Sequence, residues 1–156
     1  MQIDALAIGT RIPDWVDTGV LTYQKRLPGH IRLDFKSLPA ATRTRSGSAD
    51  KSRDIEADRL LKAIPAGAHT IALDERGESW TSVRLAGQLE KWLANYSRVA
   101  LLIGGADGLA ERCKERADGL WSLSPLTLPH ALVRVIIAEQ LYRAWTLVQG
   151  HPYHRA

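Results

Sequence analysis

Residues 120–156 read LWSLSPLTLPHALVRVIIAEQLYRAWTLVQGHPYHRA, and the rest of the chain is organised around them. The stretch has three parts: a short apolar run, a Ser/Pro/Thr/Pro loop, and a long apolar helix with an aromatic, basic tail. Pro125 and Pro129 have fixed φ and no N–H, so neither strand nor helix continues through the loop. A loop stiffened in this way is either a plain strand-to-helix turn or a grip for the polar edge of a small molecule. From about His130 to Val148 the helix is apolar on more than one stripe: Leu132, Val133, Val135, Ile136, Ile137, Leu141, Tyr142, Trp145 and Val148. Such a helix is buried on most sides, and one small core rarely surrounds a helix, which points to a partner subunit. Arg134, Glu139 and Arg143 interrupt that surface, either as paired structural charges or as site residues. The tail holds His151, Pro152, Tyr153, His154 and Arg155, groups suited to proton exchange, stacking and anion contact where chain ends are usually merely polar.

Working outward, the preceding sequence alternates strands and helices. Ile3 to Ile8 is a first buried strand ending at Gly9. A helix follows Pro13-Asp14 and stops at Pro28-Gly29. Ile31, Leu33 and Phe35 alternate with polar residues as a second strand. A basic loop, 39–48, carries Arg43 and Arg45, with Lys51 and Arg53 just beyond; it is either a solvated connection or an arm for phosphates. A helix is expected over Ala49–Ile64, a strand over His69–Leu73, a polar turn over Asp74–Gly77 and a helix over Thr81–Asn95. RVALLI, Arg98–Ile103, reads as a central strand covered on both faces. A short helix around Leu109–Arg116 leads to a last strand, Leu120–Leu123. This order predicts one α/β domain over residues 1–156, with a largely parallel sheet and helices on both faces.

Composition agrees. With 156 residues, 45% hydrophobic and 24% charged, the chain is long enough for one real core and too short for two ordinary domains. The formal charge of +4 favours a polyanionic partner such as RNA. A lone Cys113 allows no internal disulfide and no metal cluster, and fits a reducing cytosol. No run has the length of a membrane helix, and the N-terminus lacks the pattern of a signal peptide.

In an open α/β sheet, ligands bind beyond the carboxyl ends of the strands. Three ends stand out: Leu73-Asp74, Ile103-Gly104-Gly105 and Leu123-Ser124-Pro125. GGADG over 104–108 is neither GxGxxG nor a phosphate loop, so the dinucleotide and nucleotide fingerprints are absent, and without HExxH, CxxC or GxSxG the metallohydrolase and serine hydrolase readings have little support. Asp107 and Glu139 are candidate paired carboxylates that nothing in the sequence brings together.

At these residues the sequence resembles the RlmH family, SPOUT-class methyltransferases that act on N3 of a pseudouridine in large-subunit ribosomal RNA. The resemblance spans essentially the whole chain, from AIGTRIPDWVDTGVLTYQKRLP through LDERGE and LLIGGADGL to WSLSPLTLPHALVRVIIAEQLYRAW and HPYHR. Two departures are small: Ala131 stands where many members have proline, and Ala156 extends past the tail, moving the terminal carboxylate relative to Arg155. The resemblance implies an α/β fold with a deep C-terminal trefoil knot, and a cytoplasmic homodimer whose site is completed across the interface. It implies S-adenosylmethionine held by Leu73, Gly104, Gly105, Leu123, Ser124, Pro125, Leu126, Thr127 and Leu128, with no metal. In that setting His130 either caps the last helix or holds the base and takes its proton. Tyr153 and Arg155 come from the partner subunit, while Arg43, Arg45, Lys51, Arg53, His151 and His154 are the candidates to meet rRNA, with an assembled ribosome as the expected substrate. The rivals are a related knotted enzyme methylating another RNA position, such as a ribose 2′-hydroxyl, and a non-catalytic RNA-binding or ribosome-assembly factor.

Overall fold

The computed structural model describes residues 1–42 and 47–155; Arg43, Arg45 and Ala156 lie outside them. Five parallel strands form one sheet in the order β2-β1-β4-β3-β5: β1 Gln2–Ile8, β2 Arg32–Leu38, β3 His69–Ser79, β4 Arg98–Ile103 and β5 Gly119–Ser122. Register follows hydrophobicity. Ile3 lies between Leu33 and Val99, and Leu101 pairs with both Ala5 and Ile71.

Alternate residues of the central strands feed two cores. Ile3, Ala5, Ala7, Val99, Leu101 and Ile103 point toward α1 Asp14–Gln24, α3 Ser82–Asn95 and α5 His130–Gln149, around Trp92, Ile137 and Leu141. Leu6, Ile8, Ala100 and Leu102 point the other way, toward α2 Ala49–Ala63 and the short α4 Glu111–Arg116. Side chains cap two of the helices: Ser48 Oγ accepts the Lys51 amide at 3.2 Å, and Thr81 Oγ1 accepts that of Arg84 at 3.1 Å. Between β1, β2 and β4 the wholly buried Asp4 is paired with Arg98 at 2.6 Å and Lys36 at 3.0 Å.

β3 departs from the expected pattern. The polar residues Asp74–Gly77 are not a terminating turn; the strand runs on to Ser79. Ile71–Leu73 pair with Gly119–Trp121, and then, past a register shift, Glu78 and Ser79 pair with Trp121 and Ser122. The chain has room to do this because residue 77 is glycine. A Cβ there would stand 2.8 Å from the Trp121 nitrogen and 2.9 Å from the Leu120 carbonyl carbon. Trp80 then stacks on Trp121 with centroids 5.0 Å apart. β3 therefore grips β5 twice, bending across its backbone between the two grips.

α5 spans 20 residues and ends on Gly150 in the left-handed conformation, φ 68°. It packs against α1 and α3, burying Ile137, Ala138, Leu141 and Ala144, while Leu132, Val133 and Ile136 stay half-exposed. A 3-10 turn, Pro152–His154, follows.

Candidate active site

The carboxyl ends of β4 and β5 and the bend in the middle of β3, over Leu73–Arg76, open into one cleft of about 1070 Å³. Leu73-Asp74 is therefore not the strand end expected from sequence, because β3 continues to Ser79. Leu73, Ile103, Trp121, Leu123, Leu126, Leu128 and Val133 give it apolar walls; Asp74, Glu75, Asp107 and Glu111 give it an acidic side. Of the nine residues assigned to a cofactor, eight line this cleft: Leu73, Gly104, Gly105, Leu123, Ser124, Leu126, Thr127 and Leu128. The ninth, Pro125, lies within the same loop and is exposed.

Each wall has a local cause. The GGADG turn closes on itself through a Gly105–Gly108 bridge and a hydrogen bond from the Gly108 amide to the Gly105 carbonyl at 3.0 Å. A Cβ on Gly104 would lie 2.6 Å from the Gly108 carbonyl carbon, so only glycine permits the closure. The loop after β5 is tightened by Ser124 Oγ, which accepts the Leu126 amide at 2.9 Å, and by Ser122 Oγ, which donates to the Ser124 carbonyl at 3.2 Å. Lys114 closes the acidic side. It reaches Asp74 Oδ2 and Glu111 Oε1, both at 3.1 Å. Burial works against its charge, but the Glu111 and Asp74 carboxylates outweigh that and raise its pKa above the usual ammonium range. Arg112 holds α4 to α2 through Asp54 at 2.7 Å and Asp58 at 3.0 Å.

His130 stands at the cleft mouth, exposed, as the first residue of α5. The helix cap is Pro129, with no side-chain cap bond, which sets aside the capping role for His130. Its imidazole faces Gly9 at the end of β1: a Cβ on Gly9 would be 3.8 Å from His130 Nε2. One turn on, Arg134 is buried and donates to the Gly9 carbonyl at 2.9 Å and to Ser37 Oγ at 3.0 Å. Burial pushes the Arg134 guanidinium below its usual pKa, with Asp17 acting the other way.

Tyr153 and Arg155 are not near His130 within one chain. They follow the far end of α5, whose 20 residues span about 30 Å. Asp107 and Glu139 are separated in the same way: Asp107 lines the cleft, whereas Glu139 pairs with Arg143 at 2.6 Å beside the tail. Of the RNA candidates within the described residues, Arg53 lines the cleft and is paired with Asp50, and Lys51 is exposed. His151 Nδ1 accepts the Tyr153 amide at 3.2 Å, and His154 lies in the 3-10 turn. The sequence alone does not lead to the Arg134–Gly9 tie, the Lys114–Asp74 bridge or the buried Glu56, whose oxygens lie 3.4 Å from a Cβ placed on Gly105. Each depends on residues far apart in the chain. The one available signal was a charged residue inside an apolar helical run at Arg134.

A parallel α/β sheet with a ligand cleft at its strand ends, walled by a glycine turn and a Pro-braced loop, defines a small-molecule-binding domain of the open-sheet class. Residues 1–154 match the family described as predicted SPOUT methyltransferase, and the chain belongs to that family. It is 46% identical over 155 residues to a protein of Hahella chejuensis named ribosomal RNA large subunit methyltransferase H, with 99% of each chain covered. Proteins of the same name from Nitrosococcus oceani and Hydrogenovibrio crunogenus are 49% and 48% identical, over 100% and 99% of this chain and 99% of their own lengths. No helix among the described residues is long and apolar enough to cross a membrane.

Proposed function

We propose that the chain, a single domain over residues 1–156, transfers a methyl group from S-adenosylmethionine to N3 of a pseudouridine in large-subunit ribosomal RNA, in the cytoplasm and on the ribosome. One observation carries this reading: residues from the ends of β4 and β5 and from the bend of β3, widely separated in sequence, converge on one cleft with His130 at its mouth. The residues present fit the cofactor. The volume accommodates a nucleoside joined to an amino acid, and the apolar walls suit an adenine. The Gly104 turn leaves backbone rather than side chain at the cleft surface. When bound, the cofactor supplies an electrophilic methyl group.

The chain's own residues do the rest. Leu73, the Gly104-Gly105 turn and the loop Leu123–Leu128 hold the donor in place. Orienting both reactants for in-line attack supplies up to about 7–11 kcal/mol of a barrier. His130 meets the base at the mouth and takes the N3 proton, or holds the base while it leaves. Within one chain the tail is a helix length away, so Tyr153 and Arg155 reach the cleft from a second copy. There Tyr153 orients the ring and Arg155 stabilises negative charge on the uracil. The half-exposed Leu132, Val133 and Ile136 of α5 suit the dimer that this needs. The two grips of β3 on β5 support a C-terminal trefoil knot. Arg43, Arg45, Lys51, Arg53, His151 and His154 contact the RNA backbone.

Transfer of labelled methyl from S-adenosylmethionine to ribosomes, followed by nucleoside mapping, tests the reading. Label on N3 of a pseudouridine is expected. Label on a ribose hydroxyl means a different target, and RNA binding without donor binding or turnover means an assembly factor.

A further inference from the structure

Glu139, Arg143 and Tyr153 are tied together at the far end of α5, where Gln140 Nε2 also donates to Glu139 Oε2 at 2.6 Å. The Tyr153 hydroxyl donates to Glu139 Oε1 at 3.1 Å. The same oxygen accepts from Arg143 Nε at 2.9 Å and Nη2 at 2.6 Å. The Arg143 guanidinium stands 5.1 Å from the centroid of the Tyr153 ring, and Tyr142 meets that ring edge-on at 4.7 Å. Arg26, just past the end of α1, lies 5.8 Å over Tyr142 and 5.6 Å over Tyr23.

An ordinary i,i+4 ion pair lies on an exposed helix face and contributes little. This pair is only 16% and 25% exposed, and it reaches past the end of its own helix to seize a residue of the following turn. The turn is fixed independently. Gly150 reverses the chain, and the His151 amide donates to the Thr146 carbonyl at 2.8 Å. Beyond the clamp, His154 Nδ1 is buried with no hydrogen-bond partner among the described residues, and Arg155 is exposed.

We infer that Glu139 and Arg143 are positioning residues: by clamping Tyr153 they set where the tail leaves its own chain and so aim Arg155 at the cleft of a second copy. The inference rests on the reading that the tail completes the partner's site. It also divides the labour within the tail. The Tyr153 hydroxyl is committed to its own chain, so Tyr153 offers a ring and not a proton acceptor. Burial, then the Tyr23 hydroxyl and the Glu139 carboxylate, push its phenol up to about 12. Near neutral pH it is therefore an uncharged donor to Glu139.

The test is a double-mutant cycle on methyl transfer to ribosomes with the full-length dimer. Tyr153→Phe and Glu139→Gln are each expected to lower kcat roughly tenfold with KM for the donor unchanged, and the double variant is no slower than the slower single. Arg143→Lys, which keeps the charge, retains more activity than Arg143→Ala. If Glu139→Gln does not fold, Glu139→Asp carries the cycle. Additive losses overturn the clamp, as does a wild-type rate for Glu139→Gln beside a slow Tyr153→Phe. Wild-type rates for both Tyr153→Phe and Arg155→Ala overturn instead the reading that the tail belongs to the site, and the clamp falls with it.

Discussion

Arg134 donates to the carbonyl of Gly9 at 2.9 Å across 125 residues of chain. The bond ties the first turn of α5 to the end of β1 and holds the helix start where His130 faces Gly9 at the cleft mouth. Replacing Arg134 by methionine fills the space but leaves the Gly9 carbonyl and Ser37 Oγ without this donor. Urea unfolding is expected to show a loss of about 2–3 kcal/mol, the cost of stranding buried polar groups. Lysine keeps one donor and recovers part of it. Equal stability of the methionine variant and the parent would show that the tie contributes nothing.

Gly104→Ala separates donor binding from folding. The new methyl meets backbone at 2.6 Å, so the GGADG turn must open. The parent is expected to gain about 2.7 kcal/mol of stability with S-adenosylmethionine at a hundred times its Kd. The variant is expected to fold and to lose most of that gain, read as a missing thermal shift.

Asp4 predicts an acid-sensitive term. Burial opposes its charge, but Arg98 and Lys36 outweigh this and hold its carboxyl below the ordinary range. A depressed folded pKa contributes stability above the unfolded value, near 4, and loses it as pH falls through the folded one. Lys36 and Arg98 are themselves 46% and 41% exposed, so the contribution is discounted to about 1–3 kcal/mol. Asp4→Asn is expected to cost this much at pH 7, with the gap to the parent closing below about pH 4. A gap independent of pH would remove the ion pairs as its cause.

A shared site predicts complementation. His130→Ala and Arg155→Ala homodimers are each expected to be slow, whereas mixed dimers carry one cleft with both groups intact. Co-expressing the two variants under separate tags and purifying the heterodimer checks this. No recovery in the heterodimer would place both residues in the site of one chain.

Replacing Arg43 and Arg45 together is expected to weaken ribosome binding and to flatten the dependence of log K on log salt by about two phosphate contacts, a slope change near 1.8. An unchanged slope would take the 39–48 loop out of the RNA interface.

How much of this was legible in sequence depended on the kind of interaction. Apolar runs such as Arg98–Ile103 announced buried strands because both faces need hydrophobic side chains. Once the strands were placed, the ends of β4 and β5 located the cleft, whereas Leu73-Asp74 reached it from the middle of β3. The second half of β3 was not legible: Asp74 to Ser79 is polar enough to read as a turn, and what makes it strand is the close pass of Gly77 over β5. The candidate site residues His130, Tyr153 and Arg155 drew attention by type. Their placement did not, since it depends on a helix about 30 Å long and, in our reading, on a second copy of the chain. Glu139 and Arg143 were legible only as charges interrupting an apolar helix, and the third member, Tyr153, lies beyond the helix and breaks the periodicity that pattern reading relies on.

The double grip of β3 on β5 also bears on how this chain is dismantled. A strand held once peels away bond by bond when its end is pulled. Here a pull on the C-terminus unravels α5 first and then meets β5, which is paired with β3 on both sides of the Gly77 bend. An unfolding machine that starts from that end should stall where one that starts from Met1 does not. The enzyme's lifetime in a cell would then depend on which terminus is engaged first, rather than on its equilibrium stability.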